Sequence, residues 1–207
     1  MADRIELQLG PFAPEQLHAL VDVPRERFVR AVDVEHACDD TPLPLDDFGL
    51  ATISAPHAYL LSFRLLELRQ GDRVVELGSG SGYGAALASA IVGTEGDVLT
   101  LEIDPHLARR AETLLAPLGN VHALRADAMQ SMRLWGAAKK IVCTFAVDEL
   151  PPQWLKAIPA GGVLVAPVGG RDEDQRLVRV TYARGELRVS DHGAVRYVKN
   201  RSIAHLN

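Results

Sequence analysis

Three carboxylates and a run of alternating glycines are the residues of this chain whose types and spacing could hold a small-molecule ligand. The run Val74-Val75-Glu76-Leu77-Gly78-Ser79-Gly80-Ser81-Gly82 carries a short apolar strand into a turn with glycine at every second position. Such a turn lets the backbone approach a ligand with no Cβ in the way and takes up positive φ where a strand bends into a helix. The following stretch, rich in Ala, Leu and Ile from Ala85 to Ile91, supplies that helix. The next apolar segment, residues 98–102, ends in Glu102, where a carboxylate can accept hydrogen bonds from both hydroxyls of a ribose. A third, residues 121–125, is followed by Asp127, which could accept a hydrogen bond from an adenine amino group. Any one of these acids could be a helix cap or a solvated loop charge. Three at three successive strand ends point instead to a nucleoside-like cofactor. The expected cofactor contacts are Glu76, Gly78, Ser79, Gly80, Gly82, Tyr83, Glu102, Ile103, Asp127 and Ala128.

The glycine spacing separates two cofactor classes. A dinucleotide turn reads G-x-G-x-x-G and aims a helix N-terminus at a pyrophosphate. Here Gly78, Gly80, Gly82 and Gly84 alternate behind Glu76. That pattern resembles the first motif of class I S-adenosyl-L-methionine-dependent methyltransferases, whose cofactor has no phosphate. S-adenosyl-L-methionine is therefore the expected cofactor, and no metal is expected.

A second segment lies ahead of the glycine turn, in Ala51-Thr52-Ile53-Ser54-Ala55-Pro56-His57. This run resembles the protein-L-isoaspartate (D-aspartate) O-methyltransferase family. The likeness extends through residues 23–28, 151–155, 161–169 and 195–198 and so covers most of the chain. It implies methyl transfer to the α-carboxylate of an isoaspartyl residue in a damaged protein. The ester then closes to a succinimide that can reopen to normal aspartate. A carboxylate, with an ordinary pKa of about 4, is already ionised at neutral pH, so this reaction needs no general base. The enzyme has to align it with the methyl group and exclude water.

Carried over by the resemblance, Ser54 is the catalytic hydroxyl beside the substrate carboxylate, with Thr52 and Ile53 lining the same pocket. Val195, Tyr197 and Val198 would offer a strand edge to the bound peptide. Read without the resemblance, Ser54 and Thr52 are also suitable caps for a helix starting near Pro56. His57 reads as a residue that holds the loop rather than as a proton carrier. The chain departs from the family pattern at Asp46 and Asp47, at Leu50, at Phe145, and at Lys199-Asn200 after Tyr197-Val198. Two alternatives to general repair follow. One is a carboxyl methyltransferase for a dedicated peptide or small molecule, and the other is an inactive S-adenosylmethionine-binding module.

The elements that must position these residues alternate. Apolar strands are expected near residues 73–77, 98–102, 121–125, 140–144 and 162–167, with helices near 83–92, 105–117 and 151–157. Two more β-like runs, 177–182 and 194–198, have no helix between them and should pair antiparallel at an edge. The fold class is thus α/β: a Rossmann-like class I methyltransferase with a mostly parallel, doubly wound sheet of about seven strands, an antiparallel edge and a small N-terminal helical region. One domain over residues 1–207 is expected. Residues 1–60 would form the helical region and substrate loop, 61–170 the cofactor core, and 171–207 the C-terminal strands.

At 207 residues and 47% apolar, the chain can bury a substantial core. A net charge of −5, with basic residues scattered, disfavours nucleic acid as a partner. The charged run at 171–176 reads as a solvated turn. Neither a membrane span nor a signal segment is evident, so a monomer in the cytoplasm, with no membrane partner and an isoaspartyl protein or peptide as substrate, is the expectation. Cys38 and Cys143 form neither a metal cluster nor a disulfide framework. Trp135 and Trp154 read as packing residues.

Overall fold

The computed structural model describes Ile5, residues 9–170 and residues 174–202. Two short strands, β1 (Leu43–Pro44) and β2 (Thr52–Ile53), pair antiparallel near the N-terminus. Five parallel strands follow: β3 (Arg73–Leu77), β4 (Asp97–Glu102), β5 (Val121–Arg125), β6 (Lys140–Cys143) and β7 (Val163–Val168). They are joined by β8 (Gln175–Ala183) and β9 (Glu186–Val195), both antiparallel, in the order β5-β4-β3-β6-β7-β8-β9. The chain builds outward from β3 to β4 and β5, then crosses back to β6 on the other side. Such a reversal of strand order opens a crevice at the carboxyl ends of the strands.

Helices cover both faces. They are α1 (Pro14–Asp22), α2 (Pro56–Leu66), α3 (Tyr83–Val92), α4 (Pro105–Leu115), α5 (Met132–Trp135) and α6 (Pro152–Ala157), with 3₁₀ turns at Arg25–Arg27 and Ala31–His36. Because strand side chains alternate, the central strands feed two cores. Val74, Val142, Val163 and Val165 pack with α2 and α3, whereas Val75, Ile141, Cys143 and Leu164 pack with Trp135 and Trp154. The two tryptophans meet edge to face at 5.4 Å, which accounts for both as packing residues. Burial on both faces explains why β3 and β7 read as nearly continuous apolar runs.

The strands expected at 73–77 and 121–125 and the helix at 83–92 have those bounds in the structure. The last strand does not. It was placed at 194–198, but β9 runs over Glu186–Val195 and is exposed along nearly its whole length. Its apolar alternation is confined to Leu187 and Val189, both exposed, and stops at Ser190-Asp191-His192-Gly193. Its turn uses positive φ at both Arg184 and Gly185, the geometry of a tight hairpin. Of the charged run at 171–176, residues 171–173 lie outside the described residues. Among the described residues no helix is long and apolar enough to cross a membrane.

Candidate active site

The carboxyl ends of β3, β4 and β6, with the segment after β5, surround a cavity. Gly78 and Gly80 form its floor, Glu102 and Ile103 one side, and Asp127 and Ala128 another. Gly78 has φ 99°, and a Cβ there would sit 2.6 Å from Thr144 Oγ1, so no other residue fits without displacing the end of β6. The N–H groups of Gly78 and Ser79 both donate to the Leu101 carbonyl, at 2.8 and 3.0 Å. Thr144 Oγ1 donates to the carbonyls of Leu77 and Gly78. The turn is thus pinned from β4 and β6 together.

Glu102 is 6% exposed and completes the loop. Its Oε2 accepts from the Gly80 N–H at 2.8 Å and its Oε1 from the Asp104 N–H at 2.9 Å. Each oxygen keeps a lone pair for a ligand hydroxyl. Burial raises its pKa, opposed by the backbone donors and by Arg201. Asp127 is more committed. Its Oδ1 accepts from the Met129 N–H, and its Oδ2 takes the Ser202 hydroxyl at 2.6 Å and the Gln130 amide at 2.9 Å. A base amino group would use the remaining lone pair on Oδ1.

Four residues expected at the cofactor stand behind the cavity instead. Glu76 is 2% exposed and projects from β3 under α3. Its Oε2 accepts from Thr100 Oγ1 at 2.6 Å, and Thr100 in turn bonds Ser79 Oγ at 2.6 Å. A Cβ on Gly84 would lie 2.0 Å from Glu76 Oε1, so the fourth glycine of the run serves helix-to-sheet packing against this acid. Burial pushes the Glu76 carboxyl up to about 8. Glu76 and Ser79 therefore support the turn from below. Gly82 caps α3 at φ 92° against Leu115. Tyr83 is fully buried among Phe28 and Tyr59, at 5.4 and 5.5 Å between ring centroids.

The segment carrying Thr52 and Ser54 is held by a residue that sequence reasoning missed. Arg25 is 3% exposed. Its guanidinium donates to the carbonyls of Ala37 (3.1 Å), Asp39 (3.0 Å), Thr41 (2.8 Å) and Ser54 (3.1 Å). One planar fork thereby ties the 3₁₀ turns to the end of β2. The Ser54 N–H donates to the Tyr59 hydroxyl at 3.3 Å, so both backbone groups of Ser54 are fixed. Thr52 and Ser54 do not cap α2. Its N-cap is Ala55 without a side-chain bond, and Asp40 reaches across the loop to accept from the His57 N–H at 3.0 Å and to meet His57 Nδ1. His57 is therefore a loop anchor, as expected. Ile53 is not a pocket residue: at 1% exposure it packs into the core, while Thr52 lines the cavity. Asp46 accepts from the N–H groups of Phe48 and Leu50, and Asp47 pairs with Arg30 at 2.8 Å. This acidic pair shapes its own turn and does not line the cavity.

The C-terminal segment crosses the mouth of the cavity. Val198 O accepts from the Ala146 N–H and Asn200 N–H donates back to Ala146 O, at 2.8 and 2.9 Å. The side chain of Gln175 bonds both the N–H (2.6 Å) and the C=O (3.1 Å) of Tyr197. Val195 ends β9 opposite Gln175 and lines neither cavity. The backbone of Tyr197 is thus already paired within the chain. Outside this segment lies an open groove, which shares Leu50, Thr52 and residues 198–201 with the cavity. Phe145 narrows the cavity at the end of β6, its ring 6.3 Å from that of Trp154.

The sequence profile of the protein-L-isoaspartate(D-aspartate) O-methyltransferase family matches residues 11–203. Protein-L-isoaspartate O-methyltransferase 2 of Archaeoglobus fulgidus is 36% identical over 204 residues, 97% of this chain and 91% of its own length. Protein-L-isoaspartate O-methyltransferase of Ignicoccus hospitalis is 42% identical over 156 residues, 74% of this chain and 73% of its own. A crystal structure from Plasmodium falciparum, described as a protein-L-isoaspartate O-methyltransferase with S-adenosyl-L-homocysteine, superposes with a TM-score of 0.82 at 21% identity. It covers 97% of this chain and 96% of that one, a likeness of fold.

Proposed function

The chain belongs to the protein-L-isoaspartate(D-aspartate) O-methyltransferase family, and from that membership and the geometry of its cavity we propose how it methylates isoaspartyl residues in proteins. The residues present fit S-adenosyl-L-methionine: side-chain-free backbone at Gly78 and Gly80 lining the cavity, and a buried carboxylate at Glu102 with spare lone pairs. When bound, that cofactor supplies an electrophilic methyl group on a sulfonium. Glu102 would hold the ribose hydroxyls, Asp127 and Ala128 the base, and Gly78, Gly80 and Ile103 the close backbone and apolar contacts.

One observation carries the reading: the cofactor cavity and the outer groove share a wall at Leu50, Thr52 and residues 198–201. A peptide in the groove and a cofactor in the cavity would meet there. Thr52 lines both the cavity and the groove, whereas Ser54, two residues on and half-buried, lines neither, so its role at the substrate carboxylate rests on the family membership. Ser54, with its backbone fixed by Arg25 and Tyr59, would donate to one oxygen of the substrate carboxylate and hold the other in line with the methyl group. No proton has to move, because the carboxylate is already ionised. His57, which follows this segment, is engaged by Asp40 and lines neither cavity. Tyr197 and Val198 border the groove or its shared wall, and peptide contact there would come from side chains and from backbone other than that of Tyr197 and the Val198 carbonyl.

The experiment is methyl transfer from labelled S-adenosyl-L-methionine to an isoaspartyl peptide and its aspartyl twin. Base-labile label on the isoaspartyl peptide alone is expected. Equal labelling of both, or of neither while the cofactor still binds, would reject the repair reading in favour of a dedicated substrate.

A further inference from the structure

The groove that shares a wall with the cofactor cavity is one-sided in charge. Arg196, Lys199 and Arg201 all line it, and no carboxylate does among the described residues. This is unexpected in a chain of net charge −5. The nearby acids are committed elsewhere. Asp47 pairs with Arg30 and Asp40 meets His57, while Asp46 keeps its charge as it accepts from the Phe48 and Leu50 N–H groups, and none of the three lines the groove. The wall opposite the cations, from Pro42 through Gly49 and Leu50 to Thr52, is uncharged.

The three cations are held to different degrees. Lys199 pairs with Asp148 and donates to the Gly169 carbonyl at 2.9 Å. Arg201 reaches Asp104 at 3.4 Å and Glu102 at 3.9 Å, so its partners lie on the cofactor side of the shared wall. Arg196 is exposed, with no ion pair among the described residues. Arg196 therefore has its whole charge available to a ligand in the groove, whereas Lys199 is offset by Asp148 and Arg201 by Asp104 and Glu102. Charges of one sign concentrated along a cleft select for the opposite sign in what binds there.

We infer that this groove selects isoaspartyl substrates with acidic residues flanking the isoaspartate, with Arg196 as the principal determinant. The inference rests on the repair reading above and names the substrate class of that site. Exposed pairs of this kind are individually weak, so the expected preference is about fivefold for the set. It is electrostatic at a solvated surface and so shrinks as salt screens it.

The test is kcat/KM for three isoaspartyl peptides that differ only in their flanks, carrying glutamate, alanine or lysine, at low and high salt. The expected order is glutamate, then alanine, then lysine, with about a fivefold span between the first two at low salt and convergence at high salt. Arg196→Glu is expected to reverse the order, and the ratio between peptides is read within each protein, so a general loss of activity does not mask it. Methylation of all three peptides at equal efficiency would overturn the charge selection and leave the repair reading standing. Methylation of none of them would overturn the repair reading itself, and the charge selection with it.

Discussion

The two halves of the active site, as proposed for cofactor and for substrate, are built by opposite means. The cofactor half is local. Within nine residues, Glu76 to Gly84, one strand, one turn and the start of one helix supply the cradle, and the partners on β4 and β6 follow from strand register. The substrate half is assembled over long distances by side chains gripping backbone. Arg25 holds carbonyls up to 29 residues away, and Asp40 caps a helix 17 residues on. A local construction depends on the absence of side chains at fixed points. A long-range construction depends on the presence of a few buried polar ones.

Removing an absence should be the most damaging change. In Gly84→Ala the new Cβ would meet Glu76 Oε1 at 2.0 Å and Tyr59 at 2.6 Å. Helix α3 would have to lift from the sheet, and a loss of about 3 kcal/mol or more is expected in denaturant unfolding. A wild-type midpoint would break the claim that the fourth glycine is a packing requirement.

Removing a presence should come next. Arg25→Ala strips donors from four carbonyls, at a cost of about 2–3 kcal/mol, part of it recovered as water reaches the loop. The loss should fall on the substrate half, raising the KM for peptide more than the affinity for S-adenosyl-L-homocysteine changes. Equal losses in both would mean that the halves are not separate.

A smaller effect probes the support beneath the turn. The Glu76 carboxyl sits near 4.5 when unfolded and is pushed up to about 8 by burial, so the fold favours its protonated form. That contribution is fully present below the unfolded value and is lost as pH rises through the folded one. Glu76→Gln is always neutral and keeps the shape. It can also donate to Thr100, which then turns its own hydroxyl to Ser79. The melting temperature of the variant should therefore gain on that of the wild type between about pH 5 and about pH 9. A constant offset across that range would show that Glu76 ionises normally in the fold.

The same contrast decided what could be read from the sequence. The glycine spacing, the acids at strand ends and the parallel strands were legible because each is a short-range pattern with a physical cause. Gly78, Gly80, Glu102, Asp127 and Thr52 indeed line one cavity. Glu76, Ser79 and Tyr83 were assigned to the cofactor because they belong to the motif, yet a residue inside a motif can serve its support, and only side-chain direction tells which. Arg25 lies in a segment that carries the family likeness, but its buried role is not legible: an arginine in the run Pro24-Arg25-Glu26-Arg27 reads as solvated until the fold brings carbonyls around it. β9 is hard to read because its only alternation, at Leu187 and Val189, is short and lies on an exposed strand.

The division of labour is tested most directly by titrating S-adenosyl-L-homocysteine and measuring peptide methylation in two variants side by side. Glu102→Gln should weaken the cofactor product by on the order of tenfold or more, as expected for losing charge from a buried acceptor. Ser54→Ala should leave that affinity within about twofold while lowering kcat/KM for the isoaspartyl peptide by on the order of tenfold or more. If Ser54→Ala weakened S-adenosyl-L-homocysteine as much as Glu102→Gln does, or left peptide methylation untouched, the assignment of the two halves would be wrong.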